Sequence, residues 1–573
     1  MKRLGLILFL SVALAFFAKP LFAATTAGEV ERTGKVLEQE QKLRQKIETP
    51  KPKAQVEEPA PAKKEAPAAA GQKVKVTKIN VTGVTLLPAS EINKLIADNQ
   101  NKELSLRDIQ KIADEITDQY RQKGYITSRA YLPPQRIEAG VLEIRAIEGI
   151  TGTLDIKGNR YFKTESYKKR ITLKAGEPFN YNILRNNLVK INQLPDRSAK
   201  VVLTPGKAAG ATDMVLEAKD RLPLHAGFTW DNFGSRYINK NRYQVVLRDS
   251  NLLGREDSLT MQYQIADKED YTLQSVRYLY PVTDTTTIGF FEAQSKIRLG
   301  RELKDLNTRS KSRYYSLFAE QAIIDEENLS FTLNAGFDYK DIFNFQIGNE
   351  TSRDRMRIFK GGFDLDASDS LLGGGRTIFT NSLDFGVPDM MGGSKAKDPR
   401  SSRAGSGSGG KFIKNEIYLV RVQKMPLSTQ LLWKNQMQIS PYNLTSAEQF
   451  QLGGIANVRG YPPAEKVGDQ GYSMTWEWSA PPYFIPKNIG VPLSKTKLYD
   501  ALRMVAFYDW GNVKLHNILT GEEKNKTLRS FGTGLRFSLA EDFALRLDFA
   551  WPLDNTPSDG NHLHTWVQAT KNF

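Results

Sequence analysis

Phe543-Ala-Leu545-Arg-Leu547-Asp-Phe549-Ala-Trp551 puts a large apolar side chain on every second residue, with Arg546 and Asp548 between them. A period of two marks a strand with one apolar and one polar face. The pattern recurs upstream in Leu259-Thr-Met261-Gln-Tyr263-Gln-Ile265, with Gln262 and Gln264 on the opposite face. Phe331-Thr-Leu333-Asn-Ala335-Gly-Phe337-Asp-Tyr339 and Tyr472-Ser-Met474-Thr-Trp476-Glu-Trp478 repeat it. A soluble sandwich alternates too, because it also buries one face and wets the other. Persistence over residues 222–573, aromatic strand ends and an N-terminal export signal favour a membrane β-barrel. At about 22 residues per strand with its share of turn and loop, that segment holds about 16 antiparallel strands around a polar lumen.

Composition agrees with this reading. The 573 residues are 40% hydrophobic and 25% charged, with a mean hydropathy of −0.45. A bundle of membrane helices would need repeated apolar runs of about 20 residues, whereas barrel strands average out to a soluble-looking hydropathy. Aromatics reach 10%, as interfacial girdles require. Cysteine is absent, which excludes disulfide scaffolds, thiol catalysis and cysteine metal sites. A net charge of +16 suits a nucleic-acid binder, but an exported chain is not expected to meet nucleic acid.

The export signal is Lys2-Arg3, the apolar run Leu4–Phe17 and the small residues Ala23-Ala24. It predicts a signal peptide over 1–23, although Leu21 is unusual at the third position before the cut. Residues 24–48 are polar and rich in helix formers, with a thin stripe of Val30, Val36, Leu37, Leu43 and Ile47. Such a helix buries little alone and is free to dock elsewhere, including inside a wide pore as a plug. Residues 49–72 are rich in Pro, Ala, Lys and Glu and read as an extended linker.

Two small α/β modules follow, at 73–149 and 150–221, each in the order β-α-α-β-β. In the first, Val74–Val81 is a strand whose alternation slips between Val76 and Ile79. A helix starts after Pro88. A second opens on the capping box Ser105-Leu-Arg-Asp108, carries Leu106, Ile109, Ile112, Ala113, Ile116 and Tyr120, and stops at Gly124. Strands are expected at Ile126–Leu132 and Val141–Ile147. The second module has a strand at Leu154–Ile156 and a helix near Ser166–Leu173. A further helix is capped at Asn180 and carries Ile183, Leu184, Leu188 and Ile191, and strands follow at Ser198–Thr204 and Thr212–Ala218. Each module leaves a sheet edge open to an added strand.

Within 222–573, Met390–Lys411 is long and rich in Gly and Ser, and reads as an external loop. The chain ends on Phe573 in a closing strand whose alternation Lys571 interrupts. Two segments break the monotony of the strands. One is Glu448-Gln-Phe450-x-Leu452-Gly453-Gly454 followed by Val458-Arg459-Gly460-Tyr461; the other is Phe507-Tyr508-Asp509-Trp510-Gly511. With Leu502, Met504, Ala506, Tyr508 and Trp510 facing lipid, Phe507 and Asp509 face inward. An inward carboxylate needs a partner, and the fork of Arg459 suits one. Other lumen acids compete for it.

These residues carry a resemblance. The run Gly124-Tyr125-x-Thr127-Ser128-Arg129-Ala130-Tyr131-Leu132-Pro133-Pro134-Gln135 resembles the first-module signature of the two-partner secretion transporters, the haemolysin secretion/activation family. Asn192-x-Leu194-Pro195, Pro205-Gly206 and Gly210-x-Thr212-Asp213 resemble that of the second module. Val458-Arg459-Gly460-Tyr461 and Phe507-x-Asp509-x-Gly511 resemble paired motifs of the wider superfamily. The resemblance spans nearly the full chain and implies two periplasmic polypeptide-transport-associated (POTRA) domains before a 16-stranded outer-membrane barrel. It implies an Arg459–Asp509 contact anchoring a loop to the barrel wall, with Val458, Gly460, Tyr461, Phe507 and Gly511 around it. It also makes Gly124, Tyr125, Thr127, Ser128, Arg129, Tyr131, Pro134 and Gln135 the expected partner-binding residues. The implied partner is a secreted exoprotein, a large β-helical adhesin or cytolysin, recognised through its N-terminal secretion domain. Outer-membrane lipid and, during biogenesis, the barrel-assembly machinery are further implied partners.

No cofactor, metal or enzymatic activity is expected. Ser408 in Ser406-Gly-Ser408-Gly-Gly410 lacks the first glycine of a nucleophile elbow. His562 and His564 share a strand face without an evident third ligand. Gly532-x-Gly534 lacks the third glycine of a phosphate loop. Alternative readings within the same architecture are a barrel-assembly protein, against which two modules rather than five argue, and a diffusion pore, which needs no periplasmic module.

Overall fold

The computed structural model describes residues 55–57 and 73–573, apart from 138, 195, 493, 540, 541 and 555. The expected signal peptide, the 24–48 helix, most of the linker and Pro195 lie outside the described residues. The chain divides into two compact units, one containing the residues up to Leu222 from Lys51 and the other running from Pro223 to Phe573.

The first described strand, β1 (Gln55–Glu57), belongs to the linker. The slip in alternation after Val76, which admits a bulge or a late strand start, is a strand break at Thr77. β2 (Lys73–Val76) pairs antiparallel with β4 (Lys102–Ser105), while β3 (Lys78–Thr82) pairs parallel with β6 (Val141–Ile147). Between them stand α1 (Ala89–Asn99) and α2 (Leu106–Gln122). The Ser105–Asp108 capping box forms in both directions. α2 buries Ile109, Ile112, Ala113, Ile116 and Tyr120, each larger side chain worth about 1.5–3 kcal/mol. Leu106, in its first turn, stays half-exposed, contrary to expectation. The helix stops where Gly124 takes φ +89°, a conformation that disfavours any side chain. The strand expected over Ile126–Leu132 shortens to β5 (Arg129–Tyr131), because Tyr125 and Ser128 form a turn ahead of it.

The second module repeats the arrangement with β7 (Ile150–Lys157), α3 (Thr164–Lys168), α4 (Tyr181–Asn192), β8 (Arg197–Pro205) and β9 (Ala211–Asp220). Asn180 Oδ1 accepts from the Asn182 and Ile183 backbone N–H groups and caps α4. Leu184, Leu188 and Ile191 are buried, but Ile183 is exposed. The helix expected near Ser166–Leu173 is only α3. In both sheets the first strand runs parallel to the last, which is flanked on its other side by an antiparallel neighbour. One expected open edge is occupied: β1 pairs parallel with β8 over Gln55–Glu57.

Glu148, at the module junction, accepts hydrogen bonds from the Thr85 and Leu86 backbone N–H groups and the Tyr120 hydroxyl at 2.6–2.8 Å, and from the Thr85 hydroxyl. Burial opposes its ionisation, but these four donors outweigh burial and hold the carboxyl below its usual range. A depressed carboxylate stabilises the fold above its unfolded pKa and loses that contribution as pH falls through the folded value. Glu148→Gln is therefore expected to destabilise the modules by about 1.5–3 kcal/mol at neutral pH. The gap to wild type should close below about pH 4. Denaturant melts of residues 51–222 across that range check it; a pH-independent gap contradicts it.

Residues 223–573 form a closed barrel of sixteen antiparallel strands, from Leu224–Asp231 to His564–Asn572, which pair with each other to close the ring. Alternation sorts the faces as expected. Met261, Tyr263, Trp476 and Trp478 are exposed on the outside, while Gln262 and Gln264 are buried inside. Lys571 falls in the outward row opposite Phe228, and its ammonium lies over the Phe573 ring. The connections alternate between two ends: short turns, with 481–501 the exception, at the end where the chain enters, and most of the longer loops at the other.

Candidate functional site

The strand Leu502–Lys514 turns Phe507 and Asp509 into the lumen. The connection 440–469 folds back inside to meet them. A short hairpin, Phe450–Leu452 with Lys466–Gly468, carries it. Leu452, Val458 and Tyr461 pack with Val513 and Leu528 of the wall. Gly460 and Gly511 are required by space: a Cβ on Gly460 would lie 2.6 Å from Ser530 Cβ, and one on Gly511 would lie 2.5 Å from Leu452. Tyr461 Oη accepts from Asp554 N.

Arg459, 2% exposed, meets Asp509, 0% exposed. Nε donates to Oδ2 at 2.9 Å and Nη2 to Oδ1 at 2.8 Å, a two-pronged pair. The Arg459 backbone N–H adds a third bond to Asp509 Oδ2. Thr475 Oγ1 and Ser530 Oγ donate to the same carboxylate. The guanidinium lies over the Phe507 ring, 3.3 Å from its centre. Its Nη1 reaches Glu477 Oε2 at 2.6 Å. Arg536 bridges Glu477 and Asp548, and Arg546 bonds Asp548. Three guanidiniums thus face three carboxylates, which a low-dielectric interior demands. Trp566 Nε1–H donates to the Arg459 carbonyl at 2.8 Å. Glu477 and Trp566 went unsingled in the sequence. The inward side of Trp476-Glu477-Trp478 was a readable signal for the first, whereas nothing local marked the second.

A second buried anchor holds the start of the same loop. Glu448 Oε1 is 2.8 Å from Lys340 Nζ, and its other oxygen bonds Lys414 Nζ. All three side chains are at most 1% exposed.

The Gly/Ser-rich 387–411 connection is partly buried. Ser394, Ser401, Arg403, Ser406 and Ser408 are buried. Ser402 bonds Asp354 through its N–H and its hydroxyl, and its Oγ accepts from Ser446 N. Arg403 pairs with Glu522. The Ser408 hydroxyl is bonded to Ser401 Oγ, and His564 Nε2 to Asp559 Oδ2. Gly532 and Gly534 sit inside paired strands.

In the modules, much of the signature forms the joint between the two. Gly124 O accepts from Tyr181 N, Ser128 Oγ accepts from Gly149 N, and a Cβ on Gly149 would lie 2.0 Å from Thr127 Oγ1. Tyr125 packs edge-on against Tyr120. Gln135 binds the Glu143 backbone with both ends of its amide. On the edge strand β5 Arg129 is exposed and Tyr131 half-buried, and Pro134, beyond the strand, is exposed.

A sixteen-stranded barrel whose lumen holds an arginine-anchored loop, in a chain that also carries small α/β modules, defines a barrel of the POTRA-containing class. Residues 74–149 match the POTRA domain of ShlB type, and residues 210–537 match the haemolysin secretion/activation protein family ShlB/FhaC/HecB. The chain belongs to that family. It is a two-partner secretion protein of the bacterial outer membrane, with its POTRA modules in the periplasm. It is 23% identical to the heme/hemopexin transporter protein HuxB of Haemophilus influenzae over 490 residues, 84% of each chain. It is 24% identical to the outer membrane transporter CdiB of Escherichia coli over 430 residues, 71% of this chain and 70% of the relative. The solved structure of CdiB from Escherichia coli superposes with a TM-score of 0.70 at 20% identity, covering 97% of this chain and 99% of that one.

Proposed function

We propose that this protein captures one exoprotein in the periplasm through its POTRA modules and passes it unfolded through the barrel lumen, without nucleotide hydrolysis. Folding of the emerging chain outside supplies the direction. The observation that carries this reading is the 440–469 loop held inside the lumen by Arg459. The α/β modules ahead of the barrel separate this reading from a diffusion pore, which needs no periplasmic module. Capture by strand addition has a precedent within the chain, since β8 already accepts β1 in parallel. The β5 edge, with Arg129, Tyr131 and Pro134, offers a second place. The relatives' printed names speak of heme/hemopexin and hemolysin transport. They support a secreted partner, which we take to be a large exoprotein recognised through its N-terminal secretion domain. Outer-membrane lipid and the barrel-assembly machinery complete the proposed partners.

Residues 73–221, expressed alone, are expected to fold and to retain the secretion domain of the exoprotein encoded beside this gene in a pull-down. A folded fragment that retains none contradicts the receptor role. Residues 28–48 are proposed to plug the lumen at rest. Deleting them is expected to raise conductance in planar bilayers, and unchanged conductance removes the plug while leaving the export reading intact.

A further inference from the structure

Seven connections join strands at the periplasmic end, where the chain enters the barrel. Six of them run from three to eight residues, but the seventh occupies 481–501, between strands Gln470–Ala480 and Leu502–Lys514. Its length has no role in the Arg459 site, which lies on the opposite connections. It exposes Tyr483, Phe484 and Ile489, with Phe484 73% accessible. The neighbouring turns do the same: Leu427 is 79% accessible and Leu372 is 75%, with Leu371 beside it. Bonds tie these turns into one ledge. Tyr483 Oη donates to Leu427 O, Arg503 to Ser428 O, and Gln423 Nε2 to Leu371 O.

Two further observations say what the ledge meets. Leu427 and Leu372 take φ of +58° and +50°, a left-handed conformation that favours Gly or Asn over leucine. Water-facing turns have no reason to hold leucine there. The ledge also lies at the end of the lipid-facing strands that carry Trp433, Trp476 and Trp478, exposure resuming at Tyr483 after the buried Ala480, Pro481 and Pro482. Lys487, Lys495 and Lys497 are exposed on the same connection, against the single acid Asp500. Aromatic and aliphatic tips with lysines behind them match the interface of an anionic bilayer.

We propose that the 481–501 connection, with the turns at 370–374 and 426–428, is an interfacial foot. Phe484, Leu427 and Leu372 enter the periplasm-facing leaflet, and the lysines meet anionic phospholipid headgroups. The foot fixes the barrel in depth and tilt beside the periplasmic opening, independently of what is transported.

The full chain has no cysteine, so Phe484→Cys accepts a single NBD label. The labelled protein is reconstituted in phosphatidylethanolamine vesicles with or without phosphatidylglycerol. Blue-shifted emission, quenched by lipids brominated near the glycerol end of the acyl chain, is expected. Asp284→Cys, on a short polar turn of the same rim, is expected to report water. Water-like emission at 484 overturns the proposal. So does shifted emission indifferent to brominated lipid, which means that protein, whether a chain in transit or another part of this molecule, covers the ledge. Equal quenching at 284 and 484 overturns it too, since no distinct foot then exists. Replacing Lys487, Lys495 and Lys497 by Gln is expected to abolish the extra quenching that phosphatidylglycerol brings; its persistence refutes the headgroup contact.

Discussion

Arg459→Ala is expected to reduce secretion of the partner far more than it reduces the amount of barrel in the outer membrane. The substitution leaves the buried Asp509 without its cation, and the half-buried Glu477 with Arg536 alone. Breaking one side of such a pair costs about 3–5 kcal/mol, part of which lumen water returns. The sixteen-stranded ladder does not depend on this contact, so assembly survives. What is lost is the position of the 440–469 loop, whose Leu452, Val458 and Tyr461 packing is too small to hold it alone. Arg459→Lys keeps the charge but not the fork, and should fall between wild type and Arg459→Ala. Asp509→Ala should be milder than Arg459→Ala, because Glu477 still bonds the guanidinium. If the pair acts as one unit, the double mutant is no worse than the poorer single. Secretion normalised to barrel abundance is the measurement, and strictly additive losses would contradict the coupling.

Glu448→Ala is expected to be comparably severe, but on stability. It withdraws the carboxylate that the buried Lys340 and Lys414 ammonium groups share. Glu416, 3.1 Å from Lys414, compensates only in part. A loss of about 3–5 kcal/mol is expected, read as a lower temperature for the loss of heat-modifiable mobility of the folded barrel on gels. Glu448→Gln keeps an acceptor and the shape, and should recover some of it. A melting temperature unchanged in Glu448→Ala would show that water already solvates the lysines.

The two anchors differ in how far they were legible. Alternation is a property of the extended backbone, so Trp476 and Trp478 outside and Glu477 and Asp509 inside follow from residue order alone. Capping chemistry is equally local, and the Ser105–Asp108 box and the Asn180 cap formed where the sequence placed them. The slip between Val76 and Ile79 was visible, but its meaning was not. The two halves enter different sheets, and that depends on β4 and β6 far along the chain. Composition marked Met390–Lys411 as an external loop but not what it touches. Hydrogen bonds to Asp354, Ser446 and the 515–524 connection bury part of it.

By itself, then, the sequence determined which side chains line the lumen and how many strands the chain affords, because both rest on period and length. Residue order left open which inward charges meet, and only the motif resemblance pointed to Arg459 with Asp509. Arg459 and Asp509 stand 50 residues apart, and Lys340 and Glu448 stand 108 apart. Their contacts exist only once the ring has closed and the loop has turned inward. The same holds for Gln55–Glu57 on β8 and for the ledge of leucines and aromatics at the periplasmic rim. In each case neighbouring turns and edges meet through barrel or sheet geometry, and no local pattern encodes the partner.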